Sequence, residues 1–114
     1  MSIRSPREFE LLRAIGRETR RSGFEPVRGL CGHGVGRTIH EEPYVPNYHD
    51  ATCRARLTEA LVITIEPIVC SGNGGAHVAD DGWTICTSDS SLAAHFEHTI
   101  VITKTEPILL TAAA

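Results

Sequence analysis

The apolar positions near the start of the chain have the spacing of an amphipathic helix. Phe9, Leu12 and Ile15 recur every three residues, and charged side chains fill most of the positions around them. A helical turn of about 3.6 residues brings such positions onto one face. The pattern therefore predicts a surface helix that packs its apolar face against the rest of the protein.

Both ends of this helix are marked by the residues that flank it. Ser5 and Glu8 have the spacing of a capping box, and Pro6 suits the first helical position. Gly23 suits the left-handed conformation in which many helices end, and Arg21 complements the negative end of the helix dipole. We expect the helix to begin near Pro6 and to end just before Gly23.

Short β-prone runs separated by turn residues follow the helix. The runs cover residues 27–31, 61–69, 83–87 and 96–103. Residues 71–75 and 80–82 are rich in Gly, Asn and Asp, which favours hairpin-like reversals. The pattern predicts an α+β fold in which residues 1–114 form a single domain: an antiparallel sheet with the N-terminal amphipathic helix packed on one face.

Two glutamates lie within the predicted strands and share one side of the sheet. Alternate residues of a strand face opposite sides, so Ile63 and Glu66 lie on different faces. The same count places Ile100 opposite Glu97. If the helix covers the isoleucine face, both carboxylates project together from the other face.

A histidine between two glycines is the third candidate metal ligand. His33 lies in the sequence GHGVG at 32–36, where glycine lets another group approach the backbone. One imidazole and two carboxylates suit a divalent metal ion. Each of the three also has an ordinary interpretation, because turns contain histidines and strand glutamates often face solvent.

The remaining histidines carry weaker signals. His40 follows His33 by seven residues and is either a catalytic or substrate-orienting histidine or a surface imidazole. For the other four we expect only packing or solvent exposure; they are His49, His77, His95 and His98.

Composition narrows the class of protein. The chain has 114 residues, of which 41% are hydrophobic and 22% charged, and a formal net charge of -3, so it has the make-up of a globular domain without a basic surface for nucleic acid. We expect no membrane association, because no long apolar run is present. The first twenty residues do not resemble a signal peptide, so we expect a cytoplasmic protein whose four widely spaced cysteines are reduced.

Five segments, taken together, resemble the type I methionine aminopeptidases. They are GHGVG at 32–36, HEEP at 40–43, TIEP at 64–67, DGWT at 81–84 and FEHTIV at 96–101. The segments follow one another in the family's order over nearly the whole chain. The resemblance implies the pita-bread fold, in which two similar α/β halves enclose a two-metal hydrolytic site, and this chain corresponds to the C-terminal half.

The resemblance also implies roles for individual residues. His33, Glu66 and Glu97 take the positions of metal ligands, with Glu97 bridging two ions and Glu66 also acting as the proton shuttle. His40 takes the position of a histidine that contacts the peptide group of the substrate. The metal would be Co, Mn, Fe or Zn, and the reaction would be removal of an N-terminal methionine from a peptide or nascent protein.

Substrate binding and assembly are implied in the same way. Trp83 lies in a segment that lines the methionine pocket, and Ile39 stands where many relatives carry an aromatic pocket residue. The family's two aspartate ligands belong to the other half, so we expect a complementary half or a homodimer to complete the site. The alternative is a non-catalytic, degenerate module that binds metal, peptide or a protein partner.

Overall fold

The computed structural model describes the backbone of residues 6–112 and the side chains of residues 13–112. Within that range the chain forms one helix, α1, and ten short strands. They are α1 (Pro6–Arg21), β1 (Glu25–Pro26), β2 (Gly32–Gly34), β3 (Glu41–Val45), β4 (Val62–Ile65), β5 (Ile68–Cys70), β6 (Ala76–Val78), β7 (Ile85–Thr87), β8 (Ala93–His95), β9 (His98–Val101) and β10 (Ile108–Leu109). The predicted combination of antiparallel strands and one N-terminal helix is confirmed.

The helix ends where the sequence predicts. Gly23 adopts a φ of 84°, and its amide donates a hydrogen bond to the Arg20 carbonyl at 3.0 Å. The Phe24 amide donates to the Thr19 carbonyl at 3.1 Å. This pair of bonds is the Schellman arrangement, which satisfies carbonyl groups that the helix leaves free. The predicted contact of Ser5 with Glu8 lies outside the described residues.

The helix lies beside β1 and closely approaches the segment that follows β3. A Cβ atom built on Gly16 would lie 3.1 Å from the Cβ atom of Tyr48. A larger side chain at this position would force the two segments apart. Gly16 therefore allows the helix to pack tightly at this point.

The main sheet has five antiparallel strands in the order β10-β9-β4-β2-β3. Its centre is β4, in which Ile63 pairs with Ile100 of β9. Ile63 is fully buried with Val45 and Ile102. The apolar face predicted from the alternation of residues is thus present in the core.

The predicted strand at 61–69 is in fact two strands. It breaks at Glu66 and Pro67, and β5 then pairs with β8 in a separate three-stranded sheet of order β1-β5-β8. Proline has no N–H to donate to a strand partner, which favours a break at this position. The predicted strand at 96–103 is shorter than expected, because β9 covers only His98–Val101. Phe96 and Glu97 lie in a second break, between β8 and β9, which is opposite the break at Glu66 and Pro67.

Two other sequence predictions are wrong in part. Residues 27–31 contain a turn instead of a strand, because Gly29 adopts a φ of 82° and interrupts the extended chain. Residues 80–82 do form a reversal, which joins β6 to β7 with Gly82 at a φ of 71°. Residues 71–75 link strands of two different sheets and so do not close a hairpin.

In the part of the chain with described structure, no helix has the length and apolar character needed to cross a membrane.

Candidate metal centre

Two aligned breaks in neighbouring strands bring the candidate ligands together. Before the break, Ile65 pairs with His98, and after it, Ile68 pairs with His95. The residues between these pairs do not continue the regular strand ladder. Glu66 and Glu97 therefore lie opposite each other, in the gap between the two sheets. Their carboxylates and the His95 imidazole each offer one ligand atom, and these atoms all lie within 4.8 Å of one another.

Glu66 is the most constrained of these candidate ligands. It is only 7% exposed, and the Thr64 hydroxyl donates a hydrogen bond to its Oε1 atom at 2.6 Å. Nε2 of His33 lies 3.3 Å from Oε1, and Nε2 of His95 lies 3.3 Å from Oε2. The carboxylate is therefore held between two imidazoles, one facing each oxygen.

His33 is buried in β2, and two hydrogen bonds fix its backbone and its ring. Its amide donates to the Thr64 hydroxyl at 3.0 Å, and its Nδ1 atom lies 2.9 Å from the Gly34 carbonyl oxygen. Because a carbonyl oxygen can only accept, this hydrogen bond places a proton on Nδ1. Nε2 then faces the Glu66 carboxylate, and a cation between the two would be held by both.

The glycines beside His33 leave the space that the sequence predicts for another group to approach the backbone. A Cβ atom on Gly32 would overlap the Thr64 carbonyl oxygen, and one on Gly34 would overlap the Glu42 carbonyl oxygen. β2 can therefore approach both of its neighbours closely only with glycine at these positions. This close approach brings His33 within reach of Glu66.

His95 is the site residue that sequence reasoning missed. Its side chain is 47% exposed, and its Nε2 atom lies 3.8 Å from Oε2 of Glu97, which is itself 43% exposed. The signal was the spacing of two residues between His95 and Glu97, because alternate residues of an extended chain face the same side. A role assigned to Glu97 should therefore have drawn attention to His95.

His40 lies beside two of the candidate metal ligands, His33 and Glu66, at a cavity that all three residues line. Its ring centroid is 4.4 Å from that of His33. The cavity is lined by Gly29, Leu30, Cys31, His33, His40, Glu41, Glu42, Tyr44, Glu66 and Ile68. Burial raises the pKa of the Cys31 thiol, so this side chain stays protonated at neutral pH and is a poor nucleophile.

The two other residues with an implied substrate role face solvent. Ile39 is 71% exposed, and Trp83 is 87% exposed on the turn between β6 and β7. Among the described residues that line the cavity beside Glu66, neither of them occurs. Their role in a methionine pocket stays a prediction.

The donor set fits a divalent metal ion. Bonds of about 2.1 Å from a metal to nitrogen and oxygen ligands separate tetrahedral ligand atoms by about 3.4 Å. The distance of 3.3 Å from His95 to Glu66 is close to that value. Imidazole and carboxylate are ligands that Zn, Co, Mn and Fe all accept, so the donors are compatible with the metals that the resemblance implies.

Known proteins with similar sequences and structures share this arrangement of strands. Residues 5–104 match metallopeptidase family M24, and the chain belongs to that family. Methionine aminopeptidase 2 of Bacillus subtilis is 43% identical over 106 residues, which make up 92% of this chain and 43% of that protein. The fold is accordingly the pita-bread-like fold of the family.

Solved structures give the same result. The crystal structure of methionine aminopeptidase from Thermotoga maritima matches with a TM-score of 0.80 and 40% identity, over 90% of this chain and 41% of that one. Prolidase from Pyrococcus furiosus matches with a TM-score of 0.56 and 25% identity, over 86% of this chain and 23% of that one. The chain thus spans less than half the length of these relatives.

Proposed function

We propose that this chain forms part of a metal-dependent aminopeptidase that removes methionine from the N-terminus of a peptide or nascent protein. The observation that carries the proposal is the convergence of Glu66 with His33 and Glu97, three residues at ligand positions of the methionine aminopeptidase motifs. His33 and Glu66 are buried side by side, with 3.3 Å between Nε2 and Oε1. Relatives about as similar as the Bacillus subtilis protein carry the name methionine aminopeptidase.

The side chains present have complementary tasks in such a reaction. His33, Glu66 and Glu97 would hold the metal, and a divalent ion bound there supplies Lewis-acid polarisation of the scissile carbonyl. Glu66 accepts a proton from the attacking water and passes it to the leaving amine. His40, exposed beside His33, donates a hydrogen bond to the substrate's peptide group.

We infer that a second protein surface completes the site. The resemblance assigns two further ligands, both aspartates, to the other half of the family's fold. Ile39 and Trp83 would form a pocket wall once another surface covers them, and both are more than two-thirds exposed. A complementary half or a second copy of this chain would provide that surface.

Methionine release from a short peptide tests the proposal. The purified chain with Mn(II) or Co(II) should release little methionine, and addition of the N-terminal half of a methionine aminopeptidase should restore release. Glu97→Gln should abolish the restored activity, whereas Glu106→Gln, which makes the same change in an exposed loop residue, should not. Failure of every such half to restore release, or full activity of the Glu97 variant, would contradict the proposal.

A second candidate function is metal binding without hydrolysis, as in a degenerate peptidase module. It is favoured by the presence of three potential ligands, Glu66, His95 and Glu97, within one chain. Titration calorimetry with Zn(II), Co(II) and Mn(II) separates the two functions: metal binding that Glu97→Ala abolishes, without restored methionine release, would favour the module. Strong binding unchanged in Glu97→Ala would exclude this site for both functions.

A further inference from the structure

His95 occupies a position from which it can bind the same metal ion as the two glutamates. It is the last residue of β8, and its backbone is fixed by pairing with Ile68 of β5. Its Nε2 atom lies 3.3 Å from Oε2 of Glu66 and 3.8 Å from Oε2 of Glu97. The imidazole nitrogen therefore points at both carboxylates at once.

The distances among these three ligands leave room for one ion. Ligand atoms around a tetrahedral metal lie about 3.4 Å apart, and the two distances to His95 are close to this spacing. All the ligand atoms lie within 4.8 Å of one another. Glu97 is 43% exposed, so its side chain has room for the rotation that would bring its oxygen inward.

The environment of Glu66 separates the tasks of its two oxygens. Oε1 accepts a hydrogen bond from Thr64 and faces His33. Oε2 faces His95, on the side where Glu97 lies. A cation at the Oε2 side would relieve the repulsion between the two carboxylates.

We propose that His95, Glu66 and Glu97 bind one divalent ion such as Zn(II) or Co(II) within this chain alone, with His95 as a direct ligand. The proposal rests on the metal dependence proposed above but adds a ligand that the family resemblance does not include. It also implies that binding of the first ion needs no second protein surface. The competing explanation is an ion pair between a protonated His95 and the two glutamates, which would place no metal there.

The test compares metal binding by the wild-type chain and by His95→Ala. After removal of bound metal, Zn(II) binding is measured by titration calorimetry, and Co(II) binding by the absorption spectrum of the ion. We expect one Co(II) ion to bind through His95 and the affinity to fall at least about tenfold in His95→Ala. Added imidazole should restore part of the Co(II) spectrum in this variant.

His77→Ala is the matched control, because His77 is an exposed histidine in β6. It should bind metal as the wild type does. If circular dichroism shows that His95→Ala is unfolded, His95→Gln replaces it, since an amide keeps polar character but is a weak ligand. Equal affinities in the His95 and His77 variants would overturn the proposal, as would a change in stability of the His95 variant without a change in metal binding.

The outcome also separates this proposal from the proposed peptidase function. Metal binding that depends on His95, without methionine release in the presence of a complementary half, would support the ligand and contradict the peptidase. Restored methionine release, together with a metal affinity that His95→Ala leaves unchanged, would support the peptidase and contradict His95 as a ligand.

Discussion

At the residue scale, one hydroxyl group orients two of the candidate ligands. Thr64 is 1% exposed at the end of β4; it accepts a hydrogen bond from the His33 amide and donates one to Glu66. The hydroxyl thus links the backbone of His33 to the carboxylate of Glu66. Hydrogen bonds of this kind hold the metal ligands in place, and their loss commonly weakens metal binding.

Thr64→Val tests this role, because valine has nearly the same shape but no hydroxyl. The buried His33 amide would lose its partner, so the free energy of unfolding should fall by about 1–3 kcal/mol. Metal affinity should fall by about 10- to 100-fold. Urea unfolding and calorimetry measure the two effects. Thr99→Val makes the same change at the cross-strand partner and should leave metal affinity intact; equal affinity of wild type and Thr64→Val would contradict the role.

Gly32 and Gly36 provide a second comparison at the residue scale. A Cβ atom at Gly32 would overlap a backbone carbonyl oxygen of Thr64, which no side-chain rotation can relieve. A Cβ atom at Gly36 would meet only the carboxylate end of Glu41, which can turn away. Overpacking against a fixed group costs about 1–3 kcal/mol.

We therefore expect Gly32→Ala to lower the free energy of unfolding by that amount and to weaken metal binding, because β2 would move away from β4. Gly36→Ala should cost clearly less. Chemical denaturation of both variants checks the order. A Gly32→Ala protein as stable as the wild type would show that β2 and β4 are not in such close contact.

At the scale of elements, residues next to the helix in sequence predict its ends. The division of the predicted strand at 61–69 between two sheets depends on pairing with residues far away in sequence. The bounds of α1 follow from residues next to them in sequence, such as Pro6 and Gly23. The break at Glu66 separates a strand paired with β9 from one paired with β8. Apolar residues continue on both sides of that break, so alternation alone gives no sign that the pairing partner changes.

The same distinction explains what the sequence revealed of the candidate site. Motifs identified His33, Glu66 and Glu97, and the structure brings Glu66 close to His33 through strand pairing that no local pattern contains. His95 was missed because no motif assigned to it a role. Its spacing of two residues from Glu97 is the one sequence signal that places the two side chains on the same side of an extended chain.

The β6–β7 hairpin gives a prediction about pH. The Thr84 hydroxyl donates to Asp81 at 2.5 Å, the backbone amides of Trp83 and Thr84 donate to the same carboxylate, and these bonds hold the pKa of Asp81 below its ordinary value. Because the pKa is lower in the folded state, the ionised carboxylate contributes stability above the unfolded pKa of about 3.9. That contribution is lost as the pH falls through the folded pKa.

We expect the hairpin of wild-type protein to open more readily at acidic pH than that of Asp81→Asn, relative to each protein at pH 7. Amide hydrogen exchange at Val78 and Ile85, which pair across the hairpin, reports this opening. The ratio of exchange rates between the two proteins should therefore change between neutral and acidic pH. A ratio that stays constant would mean that Asp81 does not stabilise the hairpin through its charge.

At the scale of the whole molecule, apolar side chains are divided unevenly between core and surface. Among the residues whose side chains are described, five hydrophobic residues are buried, and eleven large hydrophobic residues are exposed. The exposed group includes Trp83 and Leu92, at 87% and 85%. Where exposed apolar residues lie together, they favour association with another protein surface.

We therefore expect two copies of this chain to associate. A homodimer would give a light-scattering mass of about twice the 12.4 kDa of one chain at micromolar concentration. Its melting temperature should rise with protein concentration, because association stabilises only the folded state. Trp83→Ser should reduce both effects if Trp83 meets the second copy, whereas Phe24→Ser, at an exposed aromatic residue that follows the helix, is the matched control. A monomeric mass together with a melting temperature independent of concentration would exclude the homodimer.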